Sequence, residues 1–162
     1  YRDYYGMSKP EVAEAVKYYR EFYKNNGLNA YVAYNAISQL LQELKAQSIT
    51  LGVVTSKIEE YARIALKSTG LIDYFDFICA RQPDEEETKT ETLKRAIAMV
   101  PNIPMSSIIM IGDREHDVIA AKDNGVDSIG VLYGYGTEQE FVASGATYIA
   151  KDVTDLRRLL LP

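Results

Sequence analysis

Two aspartates stand four positions apart, immediately after a short apolar segment of the chain. The segment 107–112 reads SIIMIG, and Asp113 and Asp117 follow it. If a helix begins at once, residues four positions apart share one of its faces, so the two carboxylates can act together. Such a pair suits Mg²⁺, which proteins usually hold with one or two carboxylates, waters and a substrate phosphate. The alternative is that both acids simply favour the positive N-terminus of that helix.

Two hydroxyl groups and a lysine are the other candidates for chemistry on a phosphate. The apolar segment 51–54 is followed by Thr55 and Ser56, and a hydroxyl there can donate a hydrogen bond to a phosphate oxygen. Ser56 could equally be the N-cap of a helix starting at Lys57. Lys89 could supply a fixed positive charge opposite a phosphoryl group, or be a solvated surface lysine, and Lys57 is its rival for that role.

Three further features favour structure over chemistry. His116 is the only histidine, so no multi-histidine metal site can form, and we expect it to be exposed. The stretch YGYGT at 133–137 lacks the Lys-Ser/Thr ending of a Walker motif and is first a turn. The acid-rich stretch 81–88 is predicted to be a solvated loop.

Composition limits the classes of partner. The chain has 162 residues, a net charge of −5 and one cysteine, Cys79, which we expect in the core. An acidic balance argues against nucleic acid polymers and anionic membranes, because both need a basic face. No apolar run approaches the roughly 18 residues of a membrane span. We therefore expect a cytoplasmic monomer or homodimer that acts on a small molecule.

Helical and strand patterns alternate along the chain. Capping-box spacings begin helices at Ser8 and Thr88. Strands are predicted at 49–56, 75–80, 107–112, 128–132 and 146–150. This alternation predicts an α/β fold, a Rossmann-like three-layer structure with a parallel sheet. Ligands bind beyond the carboxyl ends of such strands, so the hydroxyl pair, Asp113 and the glycine-rich turn should meet at one edge.

The order of these motifs resembles the haloacid dehalogenase superfamily of phosphohydrolases. VVTSK at 53–57 is similar to its second motif, Lys89 to its third, and IGDREHD at 111–117 to its fourth. GVLYGYGT at 130–137 and GATYIAKDVTDL at 145–156 resemble the branch that includes phosphoglycolate phosphatase. The resemblance covers the chain from about Tyr34 onward and implies part of a helical cap at 1–33 and the α/β core at 34–162.

The resemblance implies a function and a role for each candidate residue. The expected enzyme is a Mg²⁺-dependent phosphatase that hydrolyses a small phosphorylated metabolite through an aspartyl-phosphate intermediate. Thr55, Ser56 and Lys89 would bind the phosphate, and Ser56 and Lys89 would also take part in catalysis. Asp113 would bind Mg²⁺, and Asp117 would support the metal directly or through water. A phosphoglycolate phosphatase-like activity is favoured; a nucleotide monophosphatase, a pyrophosphatase or a non-catalytic phosphate-binding module are the alternatives.

Two departures from the family pattern stand out. The family's first motif, Asp-x-Asp-Gly-Thr, carries the nucleophile at the end of the first strand, and it is absent from these residues. The family's first strand lies between the strands placed here at 49–56 and 107–112, so its absence would leave a gap in the sheet. We therefore expect that the chain is a fragment, inactive without an upstream segment. The second departure is Thr90, because many members have proline after the motif lysine.

Overall fold

The computed structural model describes residues 5–22, 27, 31–82 and 87–161. Helices and strands alternate from residue 37 onward, as the sequence predicted. The described helices are α1 (Lys9–Phe22), α2 (Ile37–Ala46), α3 (Glu59–Ser68), α4 (Lys89–Ala98), α5 (Glu115–Asp123), α6 (Glu138–Ser144) and α7 (Val153–Leu160). The described strands are β1 (Gly52–Ile58), β2 (Phe77–Arg81), β3 (Ile109–Gly112), β4 (Asp127–Val131) and β5 (Tyr148–Ala150).

The described strands form two parallel sheets. β1 pairs with β2, and the other sheet has the order β3-β4-β5. All three pairings are parallel, which confirms the predicted α/β class. Among the described residues, nothing pairs with the second edge of β1 or of β3. The family's first strand would lie between those edges, and its presence there stays a prediction.

An apolar cavity of about 600 Å³ lies between the two sheets. β1 lines it through Val53 and Val54, and β3 lines it through Ile109 and Ile111. Ile111 is 37% exposed although it lies in a strand. A side chain of this type would normally be covered, because burying it removes apolar surface from water. Apolar side chains of β1 and β3 therefore face the cavity without being covered by other described residues.

Two apolar clusters pack on opposite sides of the second sheet. Leu40 and Leu44 of α2 and Leu156 of α7 pack with Ile129 of β4. Leu93 of α4 and Ala120 and Ala121 of α5 pack with Met110 of β3 in the other cluster. Helices thus cover both faces of the sheet, which is the predicted three-layer arrangement.

Side-chain caps fix where several helices begin. Thr88 and Glu91 form the predicted capping box of α4, and the Glu11 carboxylate accepts hydrogen bonds from the Ser8 backbone N–H and hydroxyl before α1. The first N–H groups of a helix lack intrahelical partners, and side chains such as these accept hydrogen bonds from N–H groups at the helix start. The α4 cap matters most here, because it sets the position of Lys89, the first residue of that helix.

The N-terminal region is described only in part. Helix α1 occupies the segment where a helix was predicted, whereas residues 1–4, 23–26 and 28–30 lie outside the described residues. Eight of the 13 tyrosines lie at or before Tyr34, and this segment is the tyrosine-rich front of the chain. The division into a cap at 1–33 and a core at 34–162 stays a prediction. In the part of the chain that the structure describes, no helix is long and apolar enough to cross a bilayer.

Candidate active site

The carboxyl end of β1 contains an irregularity at Ser56 and Lys57. Thr55 pairs with Ala80 and Ile58 pairs with Arg81, so two residues of β1 are left over between these pairs. The Thr55 hydroxyl accepts a hydrogen bond from the Lys57 N–H at 3.1 Å. Bulges of this kind bend a strand and redirect its side chains, and they are common beside active sites.

The alternative placement of Ser56 as a helix N-cap is wrong. Helix α3 begins at Glu59, and its N-cap is Ile58, which makes no side-chain cap. The strand continues past Ser56 because Ile58 still pairs with β2. Ser56 is exposed, and no described residue hydrogen-bonds to its hydroxyl. The Ser56 hydroxyl is therefore available to a ligand at this edge.

Lys89 links strand β1 to helix α5. Its ammonium group donates a hydrogen bond to the Val54 carbonyl oxygen of β1 at 2.9 Å and pairs with Asp117 Oδ1 at 2.9 Å. The Lys89 side chain is only 16% exposed, so it is not the solvated surface lysine of the alternative interpretation. Lys57, its rival, is exposed and forms no ion pair with a described residue.

Asp117 lies within the fold rather than at its surface. Its side chain is 11% exposed; Oδ1 pairs with Lys89, and Oδ2 accepts the Arg114 N–H at 3.2 Å. The carboxylate packs directly on Gly112, where any Cβ would overlap it. Gly112 at the end of β3 is therefore required by the close approach of Asp117.

Asp113 is held by the glycine-rich turn that follows β4. Asp113 Oδ2 accepts the Tyr135 N–H at 3.1 Å, and the side chain lies against Gly134, which has no Cβ to displace it. No described residue donates a hydrogen bond to Asp113 Oδ1. Because α5 begins only at Glu115, Asp113 precedes the helix, so the condition under which both aspartates would share one helical face is not met.

The departure at Thr90 has a structural counterpart. The Thr90 hydroxyl donates a hydrogen bond to Asp123 Oδ2 at 3.1 Å, and the Asn124 side chain donates to the Thr90 carbonyl oxygen at 3.1 Å. Both contacts tie the start of α4 to the end of α5. A proline could not make the first contact, so the threonine adds a link that fixes the helix carrying Lys89.

The prediction of a solvated loop at 81–88 is wrong at both ends. Arg81 belongs to β2, and the Glu87 side chain is 5% exposed and pairs with Arg95 at 2.6 Å. The Arg95 hydrogen bonds hold the pKa of Glu87 below its ordinary value. Residues 83–86, with most of the acid run, lie outside the described residues. His116 is exposed, as predicted.

The donor set fits a hard cation at one carboxylate. Asp113 keeps one oxygen without a described donor, whereas both oxygens of Asp117 are engaged. Across the described residues, no three His, Cys, Asp or Glu side chains are grouped to hold a metal. Mg²⁺ needs only one or two protein carboxylates when water and phosphate complete its coordination shell. Asp113 can therefore serve as its ligand, while Asp117 pairs with Lys89.

Aromatic residues near Asp113 were not predicted from the sequence. The rings of Tyr34 and Tyr133 meet edge to face, with centroids 5.0 Å apart. Burial, then the neighbouring Tyr34 and Asp113, raise the pKa of Tyr133 to about 12. The tyrosine-rich composition of the front was visible in the sequence, but the packing of Tyr34 on the distant turn had no sequence signal.

The chain belongs to the haloacid dehalogenase-like hydrolase family. The family profile described as "Haloacid dehalogenase-like hydrolase" matches residues 2–131. This finding agrees with the two parallel sheets, and with Lys89 and the two aspartates that pack on glycines. The resemblance inferred from the motifs is therefore confirmed, and the chain falls with the phosphatases of the family.

Relatives with known names cover most of the chain. A 5'-nucleotidase from Pseudomonas aeruginosa is 35% identical over 96% of the chain and 71% of its own length. The tyrosine-protein kinase PtkA from Mycobacterium tuberculosis is 32% identical over 91% of the chain, which spans only 51% of that relative. A crystal structure described as a predicted phosphatase from Clostridium acetobutylicum has a TM-score of 0.90 and 35% identity, covering 99% of this chain and 74% of that one. Other curated relatives are named phosphoglycolate phosphatase and pyrophosphatase.

Proposed function

We propose that the chain is the greater part of a Mg²⁺-dependent phosphatase that hydrolyses small phosphate monoesters. The observation that carries the proposal is the placement of Lys89. Two of its three N–H donors bind Val54 and Asp117, which leaves one for a phosphoryl oxygen. An ammonium group fixed in this way suits the charge that develops on a transferring phosphoryl group.

The proposed reaction needs a nucleophile from outside these residues. A carboxylate oxygen of that aspartate attacks phosphorus, the phosphorus–oxygen bond to the leaving alcohol breaks, and a second carboxyl group protonates the alcohol. Water then attacks the aspartyl-phosphate phosphorus, which releases orthophosphate and restores the carboxylate. The cavity between β1 and β3 is consistent with a further strand at that place. Such a strand would bring this aspartate to the edge where Ser56, Lys89 and Asp113 lie.

The chain's own residues bind and orient the phosphoryl group. Ser56 donates a hydrogen bond from the bulge, with Thr55 holding the backbone there, and Lys89 contributes positive charge. Asp113 would hold Mg²⁺ through its unengaged oxygen, and Asp117 fixes Lys89. The bound cation would neutralise charge on the phosphoryl oxygens.

The relatives support the phosphate group more firmly than the alcohol attached to it. Their names specify a nucleotide, phosphoglycolate and pyrophosphate, which share a phosphoryl group and differ in everything else. A small phosphorylated metabolite as substrate and a cytoplasmic location therefore remain part of the proposal.

The test compares two aspartate variants in a longer polypeptide that carries the predicted first motif. Turnover of phosphoglycolate, AMP and pyrophosphate is measured with Mg²⁺ and with EDTA. Asp113→Asn should lower Mg²⁺-dependent turnover by about 100-fold or more, while Asp73→Asn, an exposed aspartate in the turn Ile72–Tyr74, should leave it unchanged. The 162-residue chain alone should be inactive.

Near-normal turnover by Asp113→Asn would refute the role of Asp113. If the longer polypeptide turns over none of the three compounds but binds orthophosphate, the protein is a non-catalytic phosphate-binding module. Turnover by the 162-residue chain would refute the requirement for an external nucleophile.

A further inference from the structure

An exposed tyrosine lies on the turn after β4, and Asp113 holds its backbone. Tyr135 is 84% exposed, although its backbone N–H is held by Asp113 Oδ2 at 3.1 Å. The Tyr135 ring is thus surrounded by solvent, while its backbone is fixed at the candidate phosphate site. Nothing in the proposed phosphoryl chemistry requires that ring.

The backbone that carries Tyr135 is fixed on both sides. Gly134 lies against the Asp113 side chain, and a Cβ on Gly136 would come within 2.5 Å of the Asp113 carbonyl oxygen and 2.7 Å of the Phe141 ring. Phe141 is completely buried. A ring on a fixed base loses little conformational entropy when a ligand packs on it, which favours a role in binding.

A second aromatic residue reaches the same place from a distant part of the chain. Tyr34, which is 50% exposed, packs edge to face on Tyr133. Burial raises the pKa of Tyr34, and the Asp113 carboxylate and the Tyr135 phenol raise it further. Tyr34 therefore packs on the same turn that carries Tyr135, whose backbone Asp113 holds.

We propose that Tyr135 contacts the leaving group of the phosphate ester, and that this leaving group is a nucleoside. This inference rests on the proposed phosphatase function and adds the substrate class, nucleoside monophosphates. Every nucleobase has a π-face that stacks on an aromatic side chain. The carboxymethyl group of phosphoglycolate has no such face and gains nothing from an exposed ring. Tyr135 is thus a specificity-determining residue.

The experiment separates the base from the rest of the ligand. AMP and ribose 5-phosphate share a phosphate and a sugar, and only AMP has a base. Isothermal titration of both compounds is carried out on the native chain and on Tyr135→Ala, Tyr135→Phe and Tyr148→Ala. Tyr148 is the matched control, because it is 45% exposed and lies on β5, which β4 separates from β3, the strand that leads to Asp113.

The native chain should bind AMP about tenfold more tightly than ribose 5-phosphate. Tyr135→Ala should abolish that difference by weakening only AMP, while Tyr135→Phe and Tyr148→Ala should keep it. Equal affinity of the native chain for both compounds, equal weakening of both by Tyr135→Ala, or no binding of either would overturn the inference.

Turnover by the longer polypeptide distinguishes this inference from the proposed function. Tyr135→Ala should raise KM for AMP with little change in kcat, and the kinetic constants for ribose 5-phosphate should stay within about twofold, because stacking on the base is all that is lost. If Tyr135→Ala changes both substrates alike while Asp113→Asn abolishes turnover, the phosphatase assignment stands and the nucleoside assignment fails. If both compounds bind as expected but neither is hydrolysed, the phosphatase assignment fails.

Discussion

Lys89 illustrates how a single residue can serve both stability and chemistry. Its ammonium group is nearly buried, and burying an unpaired charge is costly, so a partner is required. Asp117 supplies that partner and is itself held by the Arg114 N–H. Because both oxygens of Asp117 are engaged, its first role in this structure is to orient Lys89. The pair of aspartates found in the sequence thus divides into one carboxylate open to a ligand and one that positions a cation.

At the residue scale, the two Lys–Asp pairs found among the described residues should differ in their contribution to stability. Asp117→Asn removes a charge from a pair whose side chains are 16% and 11% exposed and should lower the free energy of unfolding by about 3 kcal/mol, because Lys89 is left buried without a counter-charge. Urea unfolding at neutral pH measures this loss.

The matched control is Asp76→Asn. Asp76 pairs with Lys45 at 2.7 Å, but these side chains are 35% and 40% exposed, so the loss should stay below about 1 kcal/mol. Similar losses for the two variants would contradict the view that Lys89 is a buried charge. The local structure around Thr55 and Ser56 should be unchanged in both variants.

At the scale of elements, the site is built from the ends of strands and the start of one helix. The bulge at the end of β1 exposes Ser56, the end of β3 delivers Asp113, and the capped start of α4 delivers Lys89. The Glu91 carboxylate accepts a hydrogen bond from the Thr88 N–H at 2.7 Å and another from the Thr88 hydroxyl. These two bonds hold the pKa of Glu91 below its ordinary value. The cap therefore fixes the backbone one residue before Lys89.

Thr88→Ala should affect both stability and activity. Loss of the cap should lower the free energy of unfolding by about 1 kcal/mol, and turnover by the longer polypeptide should fall because Lys89 loses its fixed starting point. Asp152→Ala is the control, since Asp152 caps α7 away from the site and its loss should reduce stability without reducing turnover. An unchanged turnover in Thr88→Ala would show that Val54 and Asp117 alone hold Lys89.

At the scale of the whole molecule, the fold consists of two parallel sheets with an apolar cavity between them. β4 is flanked by strands on both sides, whereas β1 and β3 each have one described neighbour. A backbone edge without a partner must satisfy its N–H and carbonyl groups elsewhere. A further parallel strand between β1 and β3 would satisfy both edges and fill the cavity.

Hydrogen exchange should reveal that strand. In the 162-residue chain alone, the outward amides of β1 and β3 should exchange much faster than those of β4. In a longer polypeptide that carries the predicted first motif, β1 and β3 should become as protected as β4, because their groups acquire hydrogen-bonded partners. Equal protection of β1 and β3 in both polypeptides would show that no strand enters the gap.

The sequence predicted the elements well and the contacts between them poorly. Parallel β-strands and capping boxes depend on neighbouring residues, so their signals are local, and the alternation of segments identified the α/β class. The boundaries of β1 were wrong because pairing with β2 carries the strand through a bulge to Ile58, and no local pattern encodes that pairing.

The candidate site was predicted in its residues and not in their arrangement. Ser56, Lys89, Asp113 and Asp117 were all identified, and the structure brings Lys89 and Asp117 into direct contact. That Val54 holds Lys89 through a backbone carbonyl has no signature in sequence, because every residue has that group. The packing of Tyr34 on Tyr133 joins positions 99 residues apart, a contact decided by the tertiary fold.

The division of the site between two sheets has a consequence for the timing of its activity. Ser56 belongs to one sheet and Asp113 to the other, so neither sheet can present the full set of groups on its own. A partly folded chain with only one sheet formed would lack part of the candidate site. The groups of the candidate site therefore come together only after both sheets have formed and packed together.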